Sequence, residues 1–381
     1  MAVRHIYLSL QGFAGFGDGV RAGIARFALS HPGWSFEGTS AMSPAPDLAR
    51  QGDIDGFLGA LTDPGLLRAL VRQRRPAVQL FHHEVRPSVP AVYSDDEAIG
   101  RLAAEHLLEA GFRHVAFLGQ SDRPFSNARA RGATTRFAEA GVEAQVVTNN
   151  SVLHGRDWKL LPRMLAAWLS GMPTPLGLIA AEDNLAHLAL QAALAVGRRV
   201  PDDVAIVGIN DALLTCAFAN PPLTSVTPDW HRIGYEGAAL LGRLMDGESW
   251  PDEPLLIPPV GISVRASSDV LAIDDAEVAA ALAYIRTHAE QPLNVADVVQ
   301  AVPAARRSLE RKFRQYLGRS PWQEIRRSQI AHVKQLLIGT DWSMPRIAAA
   351  SAFRDARDLS TQFRKHAGET PTGFRRRHRT F

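Results

Sequence analysis

The sequence predicts an α/β region of parallel sheets flanked by helices, followed by an all-α region. In the first 270 residues, short apolar strands alternate with helical stretches, a pattern typical of parallel sheets covered by helices. Near the C-terminal end, a helical pattern recurs at an offset of 50 residues. Charge also divides the chain, because 19 Lys and Arg accompany 11 Asp and Glu from Asp274 to Phe381, against 23 and 28 elsewhere.

The strands of the α/β region are predicted from short apolar runs bounded by polar or glycine-containing segments. They cover residues 5–10, 56–59, 77–81, 114–118, 177–180 and 204–208. A run of small and acidic residues between Ala266 and Ala276 predicts the domain boundary. The predicted domains are therefore residues 1–270 and 274–381.

The C-terminal repeat covers a helix, its glycine-containing exit and the start of the next helix. Phe313, Arg314, Gly318, Pro321, Arg326 and Arg327 recur as Phe363, Arg364, Gly368, Pro371, Arg376 and Arg377. With ~100° between successive residues, Leu309 and Phe313 fall on one side of the first helix. Arg307, Arg311 and Arg314 fall on the other side. In the second copy Leu359 and Phe363 take the core positions, opposite Arg354, Arg357, Thr361 and Arg364.

Each of these helices follows a shorter predicted one, at residues 293–299 with Asn294 as N-cap and at residues 344–350 with Ser343 before Pro345. Two helices joined by a turn, with the charge on the second, form a helix-turn-helix. A basic region of this kind predicts double-stranded DNA as a partner. An arginine there can read guanine, neutralise a phosphate or form only a solvated surface.

The C-terminal region resembles the DNA-binding domain of AraC/XylS-type transcription regulators. The resemblance rests on residues 306–313 in the first copy and on Phe353, Leu359, Phe363, Arg364, Lys365, Gly368, Pro371, Phe374 and Arg375 in the second. It implies two helix-turn-helix units joined by a long helix at residues 322–339. The implied DNA contacts are Arg306, Arg307, Arg311, Arg314, Arg354, Arg357, Thr361 and Arg364. The chain departs from the family pattern at Pro303, Ala304 and Ala352, which lie in the two turns.

Among these residues, Arg307, Arg311, Arg357 and Thr361 are the predicted contacts to base edges. Arg314 and Arg364 are the predicted phosphate contacts, together with the basic end at Arg375, Arg376 and Arg377.

The N-terminal region resembles the periplasmic-binding-protein-like core of LacI/GalR-type regulators. The resemblance rests on residues 93–100, 104–115, 181–186, 200–210, 221–226 and 265–268. It implies two lobes that close over a small effector, a monosaccharide such as xylose. Lobe 1 is predicted at about 1–120 and 229–250 and lobe 2 at about 121–228 and 251–270, with crossings near Gln120, Pro228 and Trp250.

The same resemblance implies the effector-binding residues. Position by position, lobe 2 offers Arg129, Asp183 and Asn210, and the aromatic candidates are Phe16 and Trp158. LacI-type cores commonly have Asp at the position of Asn210, which leaves Asp211 either to supply that carboxylate or to face away. His82 and His83 lie where a loop of lobe 1 would meet the ligand and are either ligand contacts or surface residues.

Several features limit the alternatives. The single cysteine, Cys216, excludes an internal disulfide and is interpreted as a structural thiol. No apolar stretch approaches the ~20 residues of a membrane span, so the chain is predicted to be cytoplasmic and not to bind a membrane. No cofactor or metal site is predicted. A homodimer and a contact with RNA polymerase are the expected protein interactions.

Two readings compete with a sugar-responsive regulator. Residues 17–22 match the pattern G-x-G-x-x-A of nicotinamide-dependent oxidoreductases, and Glu37 follows at the spacing of a ribose-binding acid. No catalytic set accompanies them, so these glycines are interpreted as a flexible loop at the cleft or a tight turn, and the chain as not an enzyme. The second alternative is a DNA-binding regulator whose pocket is degenerate and serves only dimerisation.

Overall fold

The computed structural model describes residues 3–10, 17–37, 53–148, 160–270 and 275–378. Contacts divide the chain into two compact units. The first extends to Glu105 and resumes from His114 to Ser268, and the second contains His106–Arg113 and the chain from Asp269 onward.

The first sheet has four parallel strands in the order β2-β1-β3-β4. The strands are β1 (Arg4–Ser9), β2 (Trp34–Glu37), β3 (Gly56–Gly59) and β4 (Ala77–Gln79), and they alternate with α1 (Gly17–Ser30) and α2 (Pro64–Gln73). All residues of β3 and β4 are buried. Because such strands are covered on both faces, they have unbroken apolar sequences, and the predicted strands are confirmed.

A short parallel pair extends this first sheet. β5 (Val92–Ser94) pairs with β11 (Leu255–Ile257), and a parallel bridge between Gln79 and Ala91 connects the pair to the end of β4. Each strand has three residues, too few for a periodic pattern to emerge from the sequence, and neither was predicted.

The second sheet has six strands in the order β12-β10-β9-β8-β6-β7. They are β6 (His114–Gly119), β7 (Ala144–Thr148), β8 (Leu176–Ala180), β9 (Val204–Ile209), β10 (Thr224–Thr227) and β12 (Gly261–Ser263). Only β12 is antiparallel to its neighbour. The accompanying helices are α3 (Asp96–Glu109), α4 (Pro124–Glu139), α5 (Leu161–Ser170), α6 (Asp183–Ala195) and α7 (Leu213–Phe218). This α/β architecture confirms the predicted fold class.

Strand pairing corrects two of the predicted crossings between the lobes. The first was predicted near Gln120, but β6 already pairs within the second sheet, so the crossing follows the end of β5 at Ser94. The third was predicted near Trp250, but β11 still pairs with β5, so the crossing lies between Ile257 and Gly261. The second crossing is at Pro228, after which α8 (Trp230–Met245) packs on the first sheet.

Glycines allow α1 and α8 to pack closely. A Cβ atom at Gly23 would lie 2.0 Å from the carbonyl oxygen of His231, and one at Gly234 would lie 2.1 Å from that of Val20. Since neither backbone can yield without separating the helices, both positions require the absence of a side chain.

This packing corrects the interpretation of residues 17–22. They lie in α1 rather than in a loop or turn, and a Cβ atom at Gly19 would lie 2.8 Å from Cβ of Trp230. Glu37 ends β2, and its Oε1 lies 3.0 Å from Nδ1 of His5. The glycines therefore serve helix packing, and their arrangement lends no support to a nucleotide-binding loop.

The C-terminal region is helical throughout its described part. Its helices are α9 (Ala276–Thr287), α10 (Val295–Ala301), α11 (Arg306–Leu317), α12 (Pro321–Gly339), α13 (Met344–Ala349), α14 (Ala356–Ala367) and α15 (Pro371–His378). Leu309 and Phe313 of α11 and Leu359 and Phe363 of α14 are fully buried. The two helix-turn-helix units and the long linking helix α12 are therefore confirmed.

Local sequence explains where these helices begin and end. Asn294 caps α10 by accepting hydrogen bonds from the amides of Ala296 and Asp297, and Ser343 caps α13. Gly318 and Gly368 end α11 and α14 with φ of 68° and 76°, a conformation that glycine adopts at little cost. The departures from the family pattern in the two turns leave both recognition helices in place.

Candidate functional site

A cavity of about 280 Å³ lies between the two sheets of the first unit. Its lining residues follow the C-terminal ends of β4, β5, β6, β8 and β9, or begin α8. They are Leu80, Phe81, His82, Ser94, Gln120, Arg123, Phe125, Arg129, Glu182, Asn210 and Trp230. The carboxyl edge of parallel strands is where α/β proteins bind ligands.

A buried ion pair forms one wall of the cavity. Nε of Arg129 donates to Oδ1 of Asp96 at 2.8 Å, and Nη1 donates to the carbonyl oxygen of Ala181 at 2.6 Å. The guanidinium also lies 5.0 Å from the centre of the Phe125 ring. Arg129 was predicted at this position, whereas Asp96 was not. These contacts fix the guanidinium before any ligand arrives, which is the preorganisation that a binding site requires.

Asp96 also holds His82. Nδ1 of His82 lies 2.9 Å from Oδ2 of Asp96, and the hydroxyl of Ser94 donates to Oδ1 at 3.1 Å. The His82 ring stacks on Tyr93 with 4.9 Å between centres. Of the two adjacent histidines, His82 lines the cavity, which favours the reading of His82 as a ligand contact.

Asn210 lines the cavity at the end of β9. Its Oδ1 is buried and has no hydrogen-bond partner among the described residues, while its carbonyl oxygen accepts from Nε1 of Trp230 at 3.2 Å. Its φ of 114° is unusual for a residue with a side chain. A buried acceptor without a donor costs about 1–3 kcal/mol, and strained backbone concentrates at ligand sites. Both features are unusual, and they mark Asn210 as a candidate ligand contact.

Asp183 was predicted to contact the effector, but the structure engages its carboxylate elsewhere. Oδ1 accepts from the hydroxyl of Ser225 at 2.6 Å, and Oδ2 accepts from the amide of Ala212 at 2.7 Å. Burial raises the pKa of Asp183 to about 6. Its neighbour Glu182 lines the cavity and accepts from Nε2 of Gln120 at 3.3 Å.

Asp211 does not line the cavity either. Its carboxylate forms an ion pair of 2.7 Å with Arg265 and accepts hydrogen bonds from the hydroxyls of Ser263 and Thr227. The side chain of Asp211 therefore faces away from the cavity instead of supplying a carboxylate to it. The polar group that the β9 loop offers to the cavity is the amide of Asn210.

The aromatic rings of the cavity differ from those expected. Phe16 and Trp158 lie outside the described residues. Phe81, Phe125 and Trp230 line the cavity instead. Each follows a strand end or a lobe crossing, the one signal by which the sequence could have indicated them. Rings beside hydrogen-bonding groups suit a small polyhydroxylated ligand with an apolar face.

Cys216 is the buried residue of α7. Burial raises the pKa of its thiol, and the charge of Asp183 raises this pKa further by a smaller amount. A thiol that stays protonated is a poor nucleophile, which supports its interpretation as a structural residue.

The second unit presents the predicted DNA-binding residues on its surface. Arg306, Arg307, Arg311, Arg314, Arg354, Arg357, Thr361 and Arg364 are all exposed. Within the described chain, Arg306 pairs with Glu310 and Arg354 with Asp355. The other five arginines have no acidic partner among the described residues, so their charge remains available to a polyanion.

The basic end of the chain divides into two parts. Arg375, a predicted phosphate contact, is turned inward, with its Nε donating to the carbonyl oxygen of Leu337 at 3.4 Å. Burial lowers the pKa of Arg375 from its usual value. Arg376 is exposed, and the side chain of Arg377 lies outside the described residues.

Comparison with known proteins identifies both units. Residues 104–268 match a model of the periplasmic binding protein-like domain, and residues 298–377 match a model of the helix-turn-helix domain. The chain is a DNA-binding transcription regulator that combines a LacI/GalR-like effector domain with an AraC-type DNA-binding domain. None of its described helices has the length and hydrophobicity of a membrane span.

Two relatives are similar to the chain over most of their length. The chain is 28% identical to the xylose operon regulatory protein of Haemophilus influenzae over 336 residues, which cover 86% of this chain and 87% of the relative. The protein of the same name from Escherichia coli K12 is 29% identical over 330 residues, which cover 84% of this chain and 83% of the relative.

Solved structures extend the similarity to the fold. A xylose-binding transcription activator is 26% identical with a TM-score of 0.62, and the match covers 99% of this chain and 98% of that one. A regulator named CelR, solved as a cellobiose complex, is 26% identical with a TM-score of 0.58. The match covers 70% of this chain and 86% of that one.

Proposed function

We propose that the effector of this regulator is a monosaccharide, with xylose as the first candidate, and that it binds in the cavity between the two sheets. The lining of the cavity carries the proposal, because Glu182, Asn210 and Trp230 place hydrogen-bonding groups beside an aromatic ring, the combination that a sugar uses. Relatives of similar length are named as xylose operon regulators, which supports the class of effector.

The size and the lining of the cavity support a small, hydroxyl-rich ligand. Its volume of about 280 Å³ is close to the lower limit of ~300–1,000 Å³ for pockets that hold small molecules. Glu182 offers acceptors, Arg123 and Gln120 offer donors, and the ring of Trp230 offers an apolar surface. A sugar ring uses all three kinds of contact.

The effector would act by joining the two lobes. Residues of both sheets line the cavity, so a ligand that touches both binds the closed arrangement better than the open one and shifts the population toward it. We assign this role to residues 1–270 and DNA binding to residues 274–381, in a homodimer that works in the cytoplasm and regulates sugar-utilisation genes. A contact with RNA polymerase at the promoter would complete the mechanism.

On the DNA, the two recognition helices of one protomer would enter successive major grooves on one face, about 34 Å apart. Arg307, Arg311, Arg357 and Thr361 are the proposed base contacts. Arg314 and Arg364 are the proposed phosphate contacts, since they are exposed and have no acidic partner among the described residues.

Thermal unfolding of the full chain with a panel of pentoses, hexoses, sugar acids and nicotinamide nucleotides tests the effector. A ligand at ~100 times its dissociation constant stabilises the domain that binds it by about 2.7 kcal/mol. Stabilisation by one monosaccharide is the expected result. A shift with a nicotinamide nucleotide would instead favour the oxidoreductase reading, and the absence of any shift would favour a degenerate pocket.

A further inference from the structure

The two recognition helices have the same length and the same buried positions, so their corresponding residues can be compared directly. α11 and α14 each have 12 residues, and each residue of α11 corresponds to the residue of α14 that lies 50 positions later in the sequence. The buried pair Leu309 and Phe313 corresponds to Leu359 and Phe363. Both helices end at a glycine with left-handed φ. Residues 50 positions apart therefore occupy the same place on each helix surface.

The outward faces of the two helices agree at two positions and differ at the central one. Arg307 and Arg314 correspond to Arg357 and Arg364. Between them, Arg311 corresponds to Thr361, and both side chains are exposed. With ~100° per residue, residues 311 and 361 lie opposite the buried leucine and phenylalanine of their helices. They are thus the side chains placed most centrally toward a groove.

The two side chains offer a base different chemistry. Arg311 has no acidic partner among the described residues, so its guanidinium is available for the bidentate contact with N7 and O6 of guanine. The hydroxyl of Thr361 donates to the carbonyl oxygen of Arg357 at 2.9 Å. Because its proton is used within the helix, Thr361 presents mainly a methyl group, which matches the C5 methyl of thymine.

We propose that Arg311 reads a guanine in one subsite and that Thr361 reads a thymine at the equivalent place of the other subsite. The proposal rests on DNA binding by both recognition helices. It means that the site of one protomer consists of two unlike subsites about one helical turn apart. Such a site has a direction, so each protomer binds it in one orientation.

α11 also has a larger positive charge than α14. α11 has five basic residues and one acidic residue, whereas α14 has three and one. The Asp355 carboxylate also caps α14 by accepting from the amides of Arg357 and Asp358, while the cap position of α11 is Ala305. The subsite of α11 is therefore expected to contribute the larger electrostatic share of affinity.

Selection from a randomised DNA library with the full-length chain tests the proposal. The wild type should enrich a site of two unlike subsites. Arg311→Thr should replace the guanine of one subsite by thymine and lower affinity for the original site roughly 10- to 100-fold. Thr361→Arg should replace the thymine of the other subsite by guanine, and the double exchange should reverse the order of these two bases.

Arg243→Thr is the matched control, because it removes an exposed positive charge from α8 of the effector domain. It should leave the selected sequence unchanged, and helical content and thermal unfolding should show that each variant is folded. Folded variants that bind more weakly but enrich the wild-type sequence would overturn the proposal, since residues 311 and 361 would then contact only phosphates. A wild type that enriches no sequence would overturn DNA recognition by the two helices as well.

Discussion

Asn210 is the residue on which the proposed effector binding depends most directly. Asn210→Gly should retain the fold, because glycine adopts a φ of 114° readily, and it removes the unsatisfied Oδ1. The affinity for the effector should fall roughly 10-fold or more, since the cavity loses a hydrogen-bonding amide. Titration calorimetry with the stabilising sugar measures this change.

Asn210→Asp is the companion variant, because it keeps the size of the side chain and replaces the amide by the acid common in LacI-type cores. Binding of the sugar by Asn210→Gly with wild-type affinity would remove Asn210 from the site. A change in affinity for Asn210→Asp alone would assign the role to the amide nitrogen rather than to Oδ1.

Asp183 should make stability depend on pH. Its folded pKa of about 6 exceeds the ordinary value of 3.8 for an aspartate, so the folded state binds the proton more tightly than the unfolded state. The resulting stabilisation is complete below pH ~4 and is lost as the pH rises through about 6, a change on the order of 2–3 kcal/mol. Urea unfolding of the full chain between pH 4 and 7 should show this loss.

Asp183→Asn should flatten that pH profile, because the amide does not titrate. Asp202→Asn is the control, since its carboxylate is about half exposed in the same lobe, and it should keep the wild-type profile. Equal pH dependence in the wild type and Asp183→Asn would mean that another group titrates.

The effector site shows which residues a sequence can locate. The sequence located the loop after β8 but not the side chain that enters the cleft, because adjacent residues point in different directions. Asp183 was therefore predicted as an effector contact, whereas Glu182 is the residue that lines the cavity. Asp96 was missed because its role depends on Arg129, which lies 33 residues away in sequence.

At the scale of helices, the contact between α1 and α8 depends on glycine. Gly23→Ala should lower the free energy of unfolding by about 1–3 kcal/mol, because the added Cβ would overlap the His231 carbonyl. Gly261→Ala is the control, since a Cβ there has no neighbouring atom within 4 Å. Denaturant unfolding measures both, and an equal effect of the two substitutions would contradict close packing at Gly23.

The sequence predicted some elements and missed others for a physical reason. Fully buried strands such as β8 and β9 are continuous apolar runs, and α11 and α14 have a clear helical period. β5 and β11 have three residues each, so only their pairing partner defines them. The positions of the lobe crossings depend on these short strands, which is why two crossings were misplaced.

At the scale of the whole molecule, one chain combines an effector domain with a DNA-binding domain. The cavity is lined from both sheets of the effector domain, and the exposed arginines of the second unit are available to a polyanion. A ligand changes DNA binding only to the extent that it binds the two conformations of the protein differently. Coupling of this kind is typically about 1–3 kcal/mol, or 5- to 150-fold in affinity.

The affinity of the full-length chain for its selected DNA site, measured with and without a saturating concentration of the stabilising sugar, tests this coupling most directly. The dissociation constant for DNA should change at least about 5-fold, and Asn210→Gly should need a higher sugar concentration to reach this change. An unchanged dissociation constant for DNA, with the sugar shown by calorimetry to be bound, would contradict the claim that the cavity controls the recognition helices.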